Sequence, residues 1–194
     1  MNIAHYLTFL RILLIPFFPL LYLYPHIFGI NNYLASYILL LILLICETSD
    51  IVDGILARKK NLVTDMGKII DPMADTITHI SVFFTFTQGI VKIPLILVFV
   101  LLYRELIISS LRTLCALKGF ALAARKSGKI KTIMNGFVCI LIVILIILHH
   151  EKILSLSNLK KISFYSILII ALYNILTAID YFYANKKYLK NLTD

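Results

Sequence analysis

Charge is scarce in this sequence. Only 15% of its 194 residues are charged, whereas 60% are hydrophobic, and the mean hydropathy of +0.93 exceeds what a soluble core of this length could bury. A water-soluble globular fold is excluded. The apolar stretches recur along the whole chain, each near the roughly 20 residues needed to cross a hydrocarbon layer of about 30 Å, so a cleaved leader does not account for them. Cysteine is also rare: Cys46, Cys115 and Cys139 are an odd number, without C-x-x-C spacing. A structural zinc site and a disulfide framework are excluded, leaving the three as small packing residues. Acids are the scarcest charges, ten against nineteen Lys and Arg, for a net charge of +9. The basic residues lie between apolar segments, with no stripe interleaved with aromatics, which argues against nucleic acid and for membrane lipids and phosphorylated substrates as partners.

Hydropathy and chain breakers divide the sequence into six expected spans, at 6–24, 33–54, 69–90, 93–116, 131–150 and 162–184. The expected fold is an all-α polytopic integral-membrane bundle, a single membrane domain over residues 1–194 with no soluble domain, long linker or low-complexity segment. Basic residues set its orientation. Arg58, Lys59 and Lys60, then Lys118, Arg125, Lys126, Lys129 and Lys131, then Lys186, Lys187 and Lys190 fall on the side of the termini, against Lys92, Lys152, Lys160 and Lys161 on the other. Both termini and the 55–68 and 117–130 connections are therefore expected in the cytoplasm. Tyr22, Tyr24 and Tyr33 on one side, and Tyr181, Tyr183 and Tyr188 on the other, suit interfacial belts.

Against that scarcity of acids, Glu47, Asp50, Asp53, Asp65, Asp71 and Asp75 crowd into one 29-residue window. An acid in the hydrocarbon region costs about 3 kcal/mol on insertion scales, so a persistent cluster faces a cavity, a partner or a metal. Asp50 and Asp53 are three apart at the end of the second span, and Asp71 and Asp75 four apart at the start of the third, so each pair shares a helix face. If the two helices pack antiparallel, four carboxylates converge, and their mutual repulsion calls for cations. Two Mg²⁺ or Mn²⁺ ions, which prefer oxygen ligands, are the expected cofactors. Gly54, Ala57 and Gly67 leave room beside the acids for a bulky ligand or a neighbouring helix. Arg58, one turn after Gly54, would reach a phosphate oxygen.

Asp50-x₂-Asp53-Gly54-x₂-Ala57-Arg58-x₈-Gly67-x₃-Asp71-x₃-Asp75 resembles the signature of the CDP-alcohol phosphatidyltransferase family without a missing position. The resemblance implies that Asp50 and Asp71 bridge two metal ions, that Asp53 completes one site, and that Asp75 serves the second ion and acts as general base. It further implies that Gly54, Ala57, Arg58, Thr64 and Gly67 line the CDP part of the donor, and that the protein is a homodimer. The segment from Tyr6 to Pro16 is similar to the amino-terminal segment of bacterial glycerophosphate-using members, which carry Asn where this chain has His5. Thr8 is the expected nucleotide contact there. Arg104-Glu105, Ser109 to Arg112 and Gly128 to Thr132 also look like segments of those members. Arg112, Lys129 and Lys131 lie near the cytoplasmic boundary, where they could hold the phosphate of an anionic acceptor, whereas Arg104 and Glu105 read as a buried structural pair.

The implied reaction transfers a phosphatidyl group from CDP-diacylglycerol to sn-glycerol 3-phosphate with release of CMP, at a bacterial inner membrane. Thr76 stands where those members commonly have Lys. Inositol phosphate, inositol or serine would be alternative acceptors on the same motif. A divalent-cation transporter is the alternative of another class, but its site belongs near the midplane between repeats. No acid pair matches in the second half, where Asp180 stands alone. His149-His150-Glu151 reads as a polar helix end rather than a metal site.

Overall fold

The computed structural model describes residues 3–59, 65–117 and 126–185, and the side chains of residues 3–5, 7, 53–59, 65–69, 116, 117 and 126 lie outside that description. All regular structure among the described residues is helical: α1 Ile3–Leu14, α2 Phe17–Leu23, α3 Asn32–Lys59, α4 Asp65–Phe86, α5 Leu95–Leu117, α6 Lys126–His150 and α7 Leu156–Ala184, with a 3₁₀ turn at Pro25–Phe28. The first expected span is two helices, because Pro16, at the start of α2, has no N–H with which to continue the α1 ladder. Three spans begin well before the positions hydropathy predicts: α4 at Asp65, α6 at Lys126 and α7 at Leu156. Polar and basic first turns hide a helix from a hydropathy window, yet basic residues between Gly128 and Thr132 are good helix formers.

Parts of α3 (Asn32–Val52), α6 (Ser127–His150) and α7 (Leu156–Ala184) are long and apolar enough to cross a membrane. The remaining expected spans fall short in composition or length. α4 and α5, of 22 and 23 residues, have crossing length but carry Asp71, Asp75, Arg104, Glu105 and Arg112. The distribution of side chains explains how they are tolerated. Arg11, His79, Arg104, Lys131, Asn135 and Asn174 are buried, whereas Ile96, Ile133, Phe137, Ile169, Leu176 and Ile179 are exposed. Polar inside and apolar outside is the arrangement for a hydrocarbon solvent, where lone polar groups must find partners within the bundle. The chain is thus an all-helical membrane bundle.

α6 is the central post, packed on α3, α4 and α7, while α5 packs on α4 and α7. Ile142, Val143 and Ile146 of α6 are buried with Leu39 and Leu43 of α3 and Ile167 and Ile170 of α7. α1 packs on both α3 and α4, as does α2. Near α2, Phe18 and Tyr22 meet Phe86 edge to face, each at 5.9 Å between centroids. Gly89 (φ +66°) turns the chain under Tyr22, whose ring would lie 2.6 Å from an added Cβ.

The belt expectation is corrected at two tyrosines. Tyr181 is buried rather than interfacial, beneath the Arg112 guanidinium at 5.6 Å, and Tyr22 is a packing residue. Tyr24, Tyr33 and Tyr183 are exposed, and Tyr188 lies outside the described residues. The His149–Glu151 end is a structural staple. His149 Nδ1 donates to the Leu154 carbonyl at 2.9 Å, His150 Nδ1 lies 2.8 Å from Ser36 Oγ, and Glu151 accepts from both Tyr33 and Tyr37.

Candidate active site

The acid-bearing portions of α3 and α4 are linked through the side chains of α1 and through a direct bond between them. Among the described residues the two helices share no extended backbone contact; α1 and α2 pack against both on one side and α6 on another. The two helices meet directly through Glu47 of α3 and His79 of α4. Arg11 of α1, 2% exposed, donates from Nη1 to Asp50 Oδ1 at 2.6 Å. Thr8, one turn earlier in the same helix, donates from Oγ1 to Asp71 Oδ1 at 3.0 Å. One face of α1 therefore holds one acid from each motif helix, and charge assistance makes the Arg11 bond the stronger of the two.

On α4, Asp71 and Asp75 are one turn apart, with Pro72 between them in the helix interior. Proline removes one ladder hydrogen bond there. Thr76 turns its hydroxyl back to the Pro72 carbonyl at 2.9 Å, a short side chain bonded to its own helix. Asp75 Oδ1 is 3.3 Å from His79 Nδ1, and His79 Nε2 donates to Glu47 Oε1 of α3 at 2.9 Å. Asp75 also lies within electrostatic reach of Asp50, Lys131 and Glu105.

The donor set of Asp50, Asp71 and Asp75 is all carboxylate oxygen, which suits a hard divalent cation, and Asp50 and Asp75 already influence one another electrostatically. Among the described residues no three Asp, Glu, His or Cys groups stand close enough to hold one ion. Asp53, Gly54, Ala57, Arg58 and Gly67 lie where side chains are outside the description, as does His5, and Thr64 lies outside the described residues altogether.

A second polar cluster joins α5, α6 and α7. Lys131 is buried and paired with Glu105. Arg104 Nη1 also meets Glu105, at 3.3 Å, and its Nη2 donates to Thr177 at 3.2 Å, as expected of a buried structural pair. Arg112 is within electrostatic reach of Arg104. The Nε atoms of both arginines are buried without a hydrogen-bond partner. Lys129 does not join the cluster: it is exposed while Lys131 is buried, because residues two apart on a helix face opposite sides. Asp180 accepts from Ser127 at 3.0 Å. A cavity of about 330 Å³ between α4 and α5 runs past this cluster, lined in part by Met73, Thr76, Glu105 and Ser109.

Sequence reasoning missed Arg11, His79 and Gly136, and named Glu47 only as one of the clustered acids. The signal was helical spacing: Thr8 and Arg11 share a face, Glu47 precedes Asp50 by three residues, and His79 follows Asp75 by four.

A lipid-facing bundle with acids on two bridged helices and buried arginine and lysine beside them defines a membrane-embedded enzyme site suited to phosphorylated substrates. A model of the CDP-alcohol phosphatidyltransferase family matches residues 1–179. Curated relatives include the CDP-diacylglycerol–glycerol-3-phosphate 3-phosphatidyltransferases of Rickettsia typhi and Rickettsia felis. They are 32% and 33% identical over 189 residues, covering 96% of this chain and 98% and 97% of theirs. The protein of that name from Bacillus subtilis strain 168 is 36% identical over 140 residues, covering 68% of this chain and 70% of its own. The chain belongs to the CDP-alcohol phosphatidyltransferase family.

Proposed function

We propose that this protein transfers a phosphatidyl group from CDP-diacylglycerol to sn-glycerol 3-phosphate, giving phosphatidylglycerophosphate and CMP for phospholipid synthesis. The observation that carries the reading is that Asp75 lies within electrostatic reach of the buried Lys131, which pairs with Glu105 in the cluster of α5 and α6. A carboxylate able to take a proton stands in reach of a buried cation able to hold an anionic acceptor. The names of the relatives support the same pair of substrates.

In this reading an acceptor hydroxyl attacks the phosphorus that bears diacylglycerol. A new P–O ester bond forms, the pyrophosphate P–O bond breaks, CMP leaves, and the hydroxyl proton passes to Asp75. Asp50, Asp53, Asp71 and Asp75 would hold two divalent cations, Mg²⁺ or Mn²⁺, whose charge neutralises the pyrophosphate. Arg11 offsets the charge of Asp50 and keeps it directed inward. Thr8, Gly54, Ala57, Arg58, Thr64 and Gly67 serve the CDP group. Lys131 and Arg112 bind the acceptor phosphate, and Lys129, on the opposite side of α6, contributes only at a distance. The active site and both termini face the cytoplasm at a bacterial inner membrane, where both substrates carry negative charge that the basic connections attract. The working unit is a homodimer.

The test is CMP release by protein purified in detergent, supplied with CDP-diacylglycerol, glycerol 3-phosphate and Mg²⁺ or Mn²⁺, beside an Asp75→Asn control. The reading expects metal-dependent release in the parent and none in the control. Undiminished release by Asp75→Asn would remove Asp75 from the reaction.

A further inference from the structure

We propose that His79, anchored by Glu47, is the positioning residue that fixes the direction of the Asp75 carboxylate. This rests on the reading of Asp75 as the proton acceptor. His79 is 3% exposed and is the group that links the carboxylates of two helices: its Nε2 donates to Glu47 of α3 at 2.9 Å, and its Nδ1 faces Asp75 of its own helix at 3.3 Å. A ring bonded on one edge cannot rotate without losing that bond, so Glu47 decides where the other edge points.

The surroundings are shaped to hold this arrangement. Gly136 of α6 lies against Glu47; a Cβ there would stand 2.5 Å from Oε2 and 2.7 Å from Cδ. Cys139, one turn further along α6, is fully buried and lies within electrostatic reach of Glu47 and Asp75. Packing alone does not call for a buried acid and imidazole, because apolar side chains of similar volume fill such a space as well or better. A carboxylate that must present its oxygens in one direction does call for an outer partner, and removing such partners costs about ten- to a hundredfold in metal affinity or activity. The linkage also complements the one through α1. Arg11 and Thr8 bridge Asp50 and Asp71 from one side, and Glu47–His79 bridges α3 to Asp75 from the side of α6, so two helices without extended mutual packing are fixed by side chains.

The experiment compares His79→Gln, Glu47→Ala and Glu47→Gln with the parent. It measures kcat and KM for CMP release, Mn²⁺ binding by electron paramagnetic resonance without substrate, and the folded fraction by gel filtration. We expect His79→Gln and Glu47→Ala to lose about ten- to a hundredfold in kcat and in Mn²⁺ affinity, with the donor KM within about twofold of the parent. Glu47→Gln keeps an acceptor oxygen for Nε2 and retains most of both. Parent values of kcat and Mn²⁺ affinity in His79→Gln and Glu47→Ala, or a loss confined to the folded fraction, would overturn the proposal. If His79→Gln does not fold, the difference between Glu47→Ala and Glu47→Gln decides. If the parent releases no CMP with any acceptor, the proposed reaction fails, and Mn²⁺ affinity alone still decides the role of His79.

Discussion

Two glycines of α6 predict opposite responses to the same substitution. At Gly136 an added methyl would stand 2.5 to 2.8 Å from three atoms of the Glu47 carboxyl group, well inside van der Waals contact. Glu47 must move, α6 must shift from α3, or both, and overpacking of this kind costs about 1–3 kcal/mol. If Glu47 moves, its charge-assisted bond to His79 weakens as well, which adds up to roughly 2 kcal/mol. At Gly128 nothing lies within 4 Å of the added atom, and alanine is the better helix former by up to about 1 kcal/mol. For a chain of this length each kcal/mol moves the unfolding midpoint by about 2–4 °C. Gly136→Ala should therefore unfold below the parent even after the alanine helix gain, and Gly128→Ala at or slightly above it. The three buried free cysteines supply the assay, because a thiol-reactive dye added to the detergent-solubilised protein reports their exposure during a temperature ramp. Equal midpoints for the two variants would refute the packing of α6 against Glu47.

Lys131→Met should raise the KM for glycerol 3-phosphate about tenfold or more, the worth of one charge-assisted bond, while Lys129→Met stays within about twofold; steady-state kinetics at saturating donor separates them. Arg11→Met removes the buried partner of Asp50. Because the Asp50 side chain is 35% exposed, water offsets part of the usual cost of breaking a buried pair, leaving about 1–3 kcal/mol, read as a lower thiol-exposure midpoint. Tyr33 and Tyr37 both donate to Glu151 and hold its carboxyl below its ordinary pKa of 4.5. A depressed carboxylate stabilises the fold above its unfolded pKa and loses that contribution as pH falls through the folded value. Acid should therefore lower the midpoint of the parent below about pH 4.5 more than that of the Tyr33→Phe, Tyr37→Phe double variant.

Helical architecture was legible because lipid-facing residues must be apolar around each helix, a requirement written into every span from Tyr33 to Tyr183. The starts of α4, α6 and α7 were not, since Asp65 to Lys68, Lys126 to Lys131 and Leu156 to Lys161 are rich in polar and basic residues and hydropathy registers only the apolar part of a helix. The spacing of Asp50, Asp71 and Asp75 identified the acids, and could do so because helical periodicity is local. Their partners are set by tertiary packing. Nothing local to Arg11 says that α1 lies between α3 and α4, and nothing local to Glu47 says that it reaches His79 across the gap. For Lys129 and Lys131 the period of a helix was enough to separate them, once α6 is known to start before both.

The most direct test of the central claim is a mass spectrum of the lipid formed when the purified protein receives CDP-diacylglycerol, Mn²⁺ and an equimolar mixture of glycerol 3-phosphate, inositol 1-phosphate, inositol and serine. The account predicts one new lipid, whose mass is that of the phosphatidyl group joined to glycerol 3-phosphate, absent with Asp75→Asn. A phosphatidyl product of serine, inositol or inositol phosphate would contradict the assignment of the acceptor, and no new lipid from folded protein would contradict the reaction itself.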